Sequence, residues 1–291
     1  MIFRRFLHIL SITCVLFLLL AQTSCEKFSG DQTVPAYLRI DSIQLTTDYA
    51  KEGTAMHSIT DAWVYIDGQL IGTFQLPSTF PVLKEGAHTL LILPGVKKDG
   101  IAATRIDYPF YQPITQQINL VPDKTLDVGI LHTTYSTKAK FIWKEDLDNA
   151  AITLDSTKNT TERIKQTNTD SLTLEGLHSG FVELDTVGAT FEAVSHSTFL
   201  IPNSAVFLEL NFRLNCDLDV GVYVNAFGLI NQSPIMTLLS TQNKWKKIYI
   251  DLSTMLNSFT GATSFRVYFY VKNTTGTPYR ILMDNIKVLS F

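Results

Sequence analysis

From about Pro35 to the C-terminus, apolar and polar residues alternate with period two, or β-branched residues gather in short runs. Successive side chains on an extended strand point to opposite faces, so this pattern predicts an all-β protein. The clearest element is Ala62-Trp63-Val64-Tyr65-Ile66, then Asp67-Gly68, then Gln69-Leu70-Ile71-Gly72. Asp-Gly between two alternating runs predicts a hairpin, because both turn residues must accept positive φ. Lys84-Glu85-Gly86, Pro94-Gly95 and Asp99-Gly100 mark further turns. Later strands are predicted over 206–214, 220–227, 244–252, 264–272 and 280–289, with a single helical turn over 253–257. Short strands separated by turn signals suggest sandwich or jelly-roll architecture.

The alternation separates each strand into two faces. Val206, Leu208, Leu210, Phe212 and Leu214 form one set, as do Val220, Val222 and Val224, and Phe265, Val267, Phe269 and Val271. These are the predicted core. Opposite them lie Glu209, Asn211 and Arg213 on the first strand, Tyr223 and Asn225 on the second, and Arg266, Tyr268 and Tyr270 on the third. Aromatic rings pack on the apolar face of a pyranose while amides and charges bond its hydroxyls, so these eight residues are the candidate glycan-binding set. Trp245, Lys247 and Tyr249 extend it. The same mixture also serves an exposed sheet face in its own cross-strand pairing. Which strands are neighbours is not written in the pattern, so the eight residues can belong to two sheets.

The first residues change the picture. Arg4 and Arg5 precede an apolar run, Phe6 to Leu20, that ends in Gln22, Thr23 and Ser24 before Cys25. This is the layout of an export signal, and the run is shorter than the roughly 20 apolar residues of a spanning helix. Ala21 to Cys25 resembles the bacterial lipoprotein signal of Bacteroidota type, with Gln22 where Leu is usual. The resemblance implies cleavage after residue 24, lipidation of Cys25 and an outer-membrane location. Residues 25–33 then read as a polar tether. Without Arg4 and Arg5 the chain holds 22 basic and 27 acidic residues, a formal charge of −5. That balance offers no basic patch for nucleic acid. Cys14 leaves with the signal and Cys25 is consumed by lipid, so Cys216 has no internal disulfide partner and reads as a packed thiol.

Two domains are expected, over 34–136 and 137–291. In the first, the run from Trp63 to Leu93, with its DG turn and "EGAHTLLI" strand, resembles small Ig-like modules of the PEGA type, which implies a spacer or docking platform. In the second, "WKKIYIDLS" (245–253), "FRVYFYV" (265–271) and "ILMDNIKV" (281–288), with the opening "FIWKEDLD" (141–148), resemble galactose-binding-like jelly rolls. Carbohydrate-binding modules share these endings. Such folds often hold a structural calcium, which here implies oxygens from Glu145, Asp146 or Asp148 with Asp284. No metalloprotease, nucleophile-elbow, phosphate-loop or zinc-cysteine motif is present. The sequence therefore points to a non-catalytic lipoprotein that binds a polysaccharide, or alternatively to a scaffold or adhesion component that docks other surface proteins.

Overall fold

The computed structural model describes residues 34–291. The signal segment, the tether and Cys25 lie outside the described residues. The first half builds β1 (Ala36–Ile40), β2 (Ser42–Leu45), the helical turn α1 (Tyr49–Glu52), β3 (Asp61–Ile66), β4 (Gln69–Gln75), β5 (Ser78–Val82), β6 (Gly86–Lys97), β7 (Arg105–Asp107), β8 (Ile114–Leu120), β9 (Thr125–Asp127) and β10 (Ile130–Thr133). A five-stranded sheet, β4-β3-β6-β7 with β8 also on β6, faces a layer made of β5-β1-β9 and β10-β2. Between them lies a core that includes Leu38, Ile40, Val64, Ile66, Leu90 and Ile92. The expected hairpin joins β3 to β4, with Asp67 and Gly68 at φ of 52° and 77°.

The second half contributes β11 (Lys140–Glu145), β12 (Leu154–Ser156), β13 (Lys165–Thr167), β14 (Ser179–Leu184), β15 (Thr190–Ser195), β16 (Phe199–Leu200), β17 (Phe207–Leu214), β18 (Leu218–Ala226), β19 (Leu229–Leu238), β20 (Lys246–Asp251), the turn α2 (Ser253–Asn257), β21 (Ala262–Lys272) and β22 (Tyr279–Ser290). One sheet runs β13-β14-β22-β17-β20 with β11 also on β22; the other runs β12-β15-β21-β18-β19 with β16 also on β21. Every pairing in both is antiparallel, and apart from β13-β14 and β18-β19 the neighbours are not consecutive in the chain. All three predicted inner sets are buried in one core between these sheets. The protein is an all-β chain of stacked sheets.

The two halves are not beads on a string. Phe207, Tyr249 and Leu289 leave the second sandwich and join the first core, beside Tyr108, Phe110, Tyr111 and Tyr135. Their rings meet edge to face, with Tyr108 centred 5.4 Å from Phe207 and 4.8 Å from Tyr249. The tip of the β6–β7 hairpin is bolted to the free edge of β20: Asp99 donates its N–H to the Tyr249 carbonyl, and its carboxylate accepts the Asp251 N–H. That edge contact protects a strand end that would otherwise present unpaired backbone groups.

Candidate functional site

The junction decides which face of β17 meets solvent. Glu209 has no exposed surface and lies under the first sandwich. Its carboxylate accepts hydroxyl bonds from Tyr108 at 2.9 Å and Tyr135 at 2.8 Å, and pairs with Lys247 at 2.9 Å. Burial opposes its charge, but Lys247 and Lys287 outweigh it and hold the carboxyl below its ordinary value. Lys287, also buried, donates to the Thr54 carbonyl and to Tyr135, and burial pushes its ammonium down to about 7 against the pull of Glu209. The assignment of Glu209 to a ligand-facing surface is therefore corrected: the period-two pattern placed it opposite the core, and the first sandwich covers that side. Tyr249 is buried in the same junction. Arg213, further along β17, turns its guanidinium to the Ser171 carbonyl at 2.6 Å.

Tyr223, Asn225, Arg266, Tyr268 and Tyr270 lie together on the outer face of the other sheet. Cross-strand register puts Tyr223 opposite Arg266, and Asn225 opposite Ser264. The hub of this face is Glu192, which sequence reasoning missed. Its carboxylate accepts bonds from Thr157, Asn159, Gln232 and the Tyr223 hydroxyl. Burial works against its charge, yet these hydrogen bonds prevail and lower its pKa. Arg266 is committed to the Ser195 carbonyl and Asp155. Tyr268 is only 3% exposed, its ring resting on Gly221 and 5.1 Å from that of Tyr223. Most polar groups here thus answer one another. The exception is the enclosed Oδ1 of Asn225, which has no partner and borders a hollow of about 90 Å³.

A second surface combines the elements the sequence asked for. At the junction, a shallow groove of about 510 Å³ is lined by Gln44, Met56 and His57 from the first half, and by Leu174, Glu175, Asn211, Trp245 and Lys247 from the second. Asn211 forms part of its wall, 4% exposed, and its enclosed Oδ1 has no hydrogen-bond partner. A buried acceptor left without a partner costs roughly 1–3 kcal/mol. The half-buried Trp245, one residue before β20, lines the same groove. His57 bonds Gln44 at 3.1 Å, and burial holds its imidazole below the ordinary value. Glu175 accepts from Thr54 and from Asn285.

Glu145, Asp148 and Asp284, the carboxylates expected to hold calcium, each accept hydrogen bonds from within the chain. Glu145 accepts the Leu147 and Thr153 N–H groups and the Thr153 hydroxyl. Asp148 accepts the Leu177 and His178 N–H groups, and Asp284 the Ser179 hydroxyl and the Asn285 N–H. Glu145 serves its own loop, Asp148 and Asp284 both serve the segment 177–179, and no metal-holding group of three His, Cys, Asp or Glu side chains gathers among the described residues. Cys216 is buried in the turn between β17 and β18, and burial pushes its thiol up to about 12, so it is inert at neutral pH.

Asp284 does carry a pH signature. Burial, with repulsion from Asp148 and Glu175, lifts its carboxyl from 3.8 to about 7. A carboxyl raised in the folded state contributes stability that is full below its unfolded pKa and is lost as pH rises through the folded one. Thermal unfolding should therefore show the melting temperature falling between pH 4 and 7. Asp284→Asn, which keeps an acceptor for Ser179, should flatten that slope; an unchanged slope would remove Asp284 as its source.

No protein-family model and no curated protein sequence matches the chain. Among solved structures, it is similar to the CBM22-2 xylan-binding domain of Paenibacillus barcinonensis Xyn10C, at 13% identity over 51% of this chain and 99% of that one, with a TM-score of 0.38. A carbohydrate-binding module of the β-sandwich superfamily aligns at 11% identity over 78% of this chain and 84% of that one, with a TM-score of 0.38. The family 30 carbohydrate-binding module of a Clostridium thermocellum cellulosomal cellulase aligns at 14% over 50% and 89%, with a TM-score of 0.34.

Proposed function

We propose that the chain is a lipid-anchored, non-catalytic surface protein that holds a glycan in the groove at its domain junction. The observation that carries this reading is the wall of that groove, where Asn211, its buried Oδ1 without a partner, and Trp245 both line the hollow. An indole offers a flat apolar platform for a sugar ring, and the amide offers both a donor and an acceptor to a hydroxyl. His57 and Gln44 supply further polar groups around it. One carboxylate, Glu175, lines the groove, whereas glycosidic hydrolysis ordinarily takes two.

Affinity electrophoresis through gels containing xylan, galactan, mannan or cellulose tests the reading. The wild-type chain should be retarded by one of these, and Trp245→Ala should lose at least tenfold in affinity with an unchanged melting temperature. Retardation that survives Trp245→Ala in full would place the site elsewhere.

The anchor rests on the sequence around Cys25. Replacing Cys25 with Ala should move the protein from the membrane to the soluble fraction and abolish labelling by a fatty-acid probe. Labelling that persists would remove the lipid assignment.

One observation favours the alternative role as a scaffold. Leu200, Ser264, Asn225 and Ile230 are successive cross-strand partners along one row, and Leu200 and Ile230 are largely exposed, as are Phe227 and Leu229 at the β18–β19 turn. Exposed apolar clusters of this kind mark protein contacts.

A further inference from the structure

Beside β20 lies a larger cavity, of about 610 Å³, between the β6–β7 hairpin tip of the first half and β19 and β20 of the second. Its wall is apolar, formed by Phe212, Ile235, Met236 and Ile248. Two side chains carry that surface out into solvent, Ile101 from the first half and Leu239 from the second, 53% and 68% exposed. Apolar surface left in water on both lips of a hollow is unfavourable until something covers it.

The charges at the cavity are not balanced. Asp99 contributes one carboxylate to the lining and accepts the Asp251 N–H at 2.9 Å, so three lysines face one acid there. Lys247 is paired with Glu209. That leaves Lys97 and Lys246, which line the cavity and make no ion pair among the described residues. We propose that this cavity binds an anionic amphiphile, its apolar body between Met236 and Ile248 and its charged head between Lys97 and Lys246. The size falls within the range of small-molecule sites, and domain junctions are where such sites are commonly built. The unbranched thioether of Met236 suits a wall that must fit a flexible chain.

This site is separate from the glycan groove, although Lys246 and Lys247 border both. Displacement of 1-anilinonaphthalene-8-sulfonate from the Cys25→Ala chain, which carries no acyl group of its own, tests it. Dodecanoate and dodecyl phosphate should displace the dye with one-to-one stoichiometry, and 1-dodecanol at least tenfold less well. The pair Lys97→Ala and Lys246→Ala should weaken dodecanoate about tenfold and leave dodecanol unchanged. Met236→Trp should fill the cavity and abolish displacement, while retardation by the glycan gels continues, which separates failure here from failure of the glycan reading. Should Met236→Trp not fold, the lysine pair alone decides. Equal affinity for dodecanol and dodecanoate, or dodecanoate affinity untouched by the lysine pair, would overturn the proposal.

Discussion

Glu209→Ala should destabilise the protein by about 3–5 kcal/mol, the usual consequence of removing one partner from a buried ion pair. The loss is not that of a single contact. It leaves Lys247 and Lys287 facing each other without a counter-charge, and strips the Tyr108 and Tyr135 hydroxyls of their acceptor. Because these groups tie the two sandwiches together, the damage should reach both cores. Glu209→Ala combined with Lys247→Met should recover part of the loss, since the second change removes a stranded charge. Urea denaturation of the two single variants and the double variant measures this coupling. Simple additivity would mean that the pair is energetically idle.

Gly221→Ala should cost about 3 kcal/mol, toward the upper end for overpacking. A β-carbon built on Gly221 falls inside the van der Waals envelope of both the Ser233 carbonyl and the Tyr268 ring. The ring can turn aside; the carbonyl belongs to the neighbouring strand, beside the irregularity in the β18–β19 ladder. Adding Tyr268→Leu to Gly221→Ala should therefore recover only part of the loss. Full recovery would show that the ring alone sets the requirement for glycine. Thermal melts of the three variants distinguish these outcomes.

Much of the fold was legible because period-two alternation is a direct readout of which side chains face inward. The inner sets of β17, β18 and β21 were read correctly, as was the Asp67-Gly68 hairpin. What the pattern cannot say is whether the opposite face meets water or another layer of protein. On β17 that face is covered, and the hint was there: Phe207 sits in phase with Glu209, and Tyr249 lies opposite Glu209 on β20. Large rings on a supposedly polar face signal a second packing surface.

The stretch between β11 and β17 was hard to read for a different reason. β12 and β13 are three residues long and set in Thr- and Asp-rich loops, too short for any period to register. Glu192 was missed along with them, although Thr190-Phe191-Glu192-Ala193 alternates and places a lone carboxylate in phase with the polar face. The candidate site shows the same division. Asn211 and Trp245 come from strand positions that sequence could nominate. His57, Gln44 and Glu175 reach the groove only through tertiary placement of β2 and of loops, which no local pattern encodes.

In the proposed glycan groove Asn211, whose buried Oδ1 has no partner, serves the ligand rather than the fold. An apolar residue of similar volume at a buried, unsatisfied polar position is neutral or stabilising. Asn211→Leu should thus melt at the same temperature as the wild type or higher, and lose its retardation in the glycan gel that retards the wild type. A lower melting temperature with retardation intact would contradict the account, as would a wild-type chain that none of the xylan, galactan, mannan or cellulose gels retards.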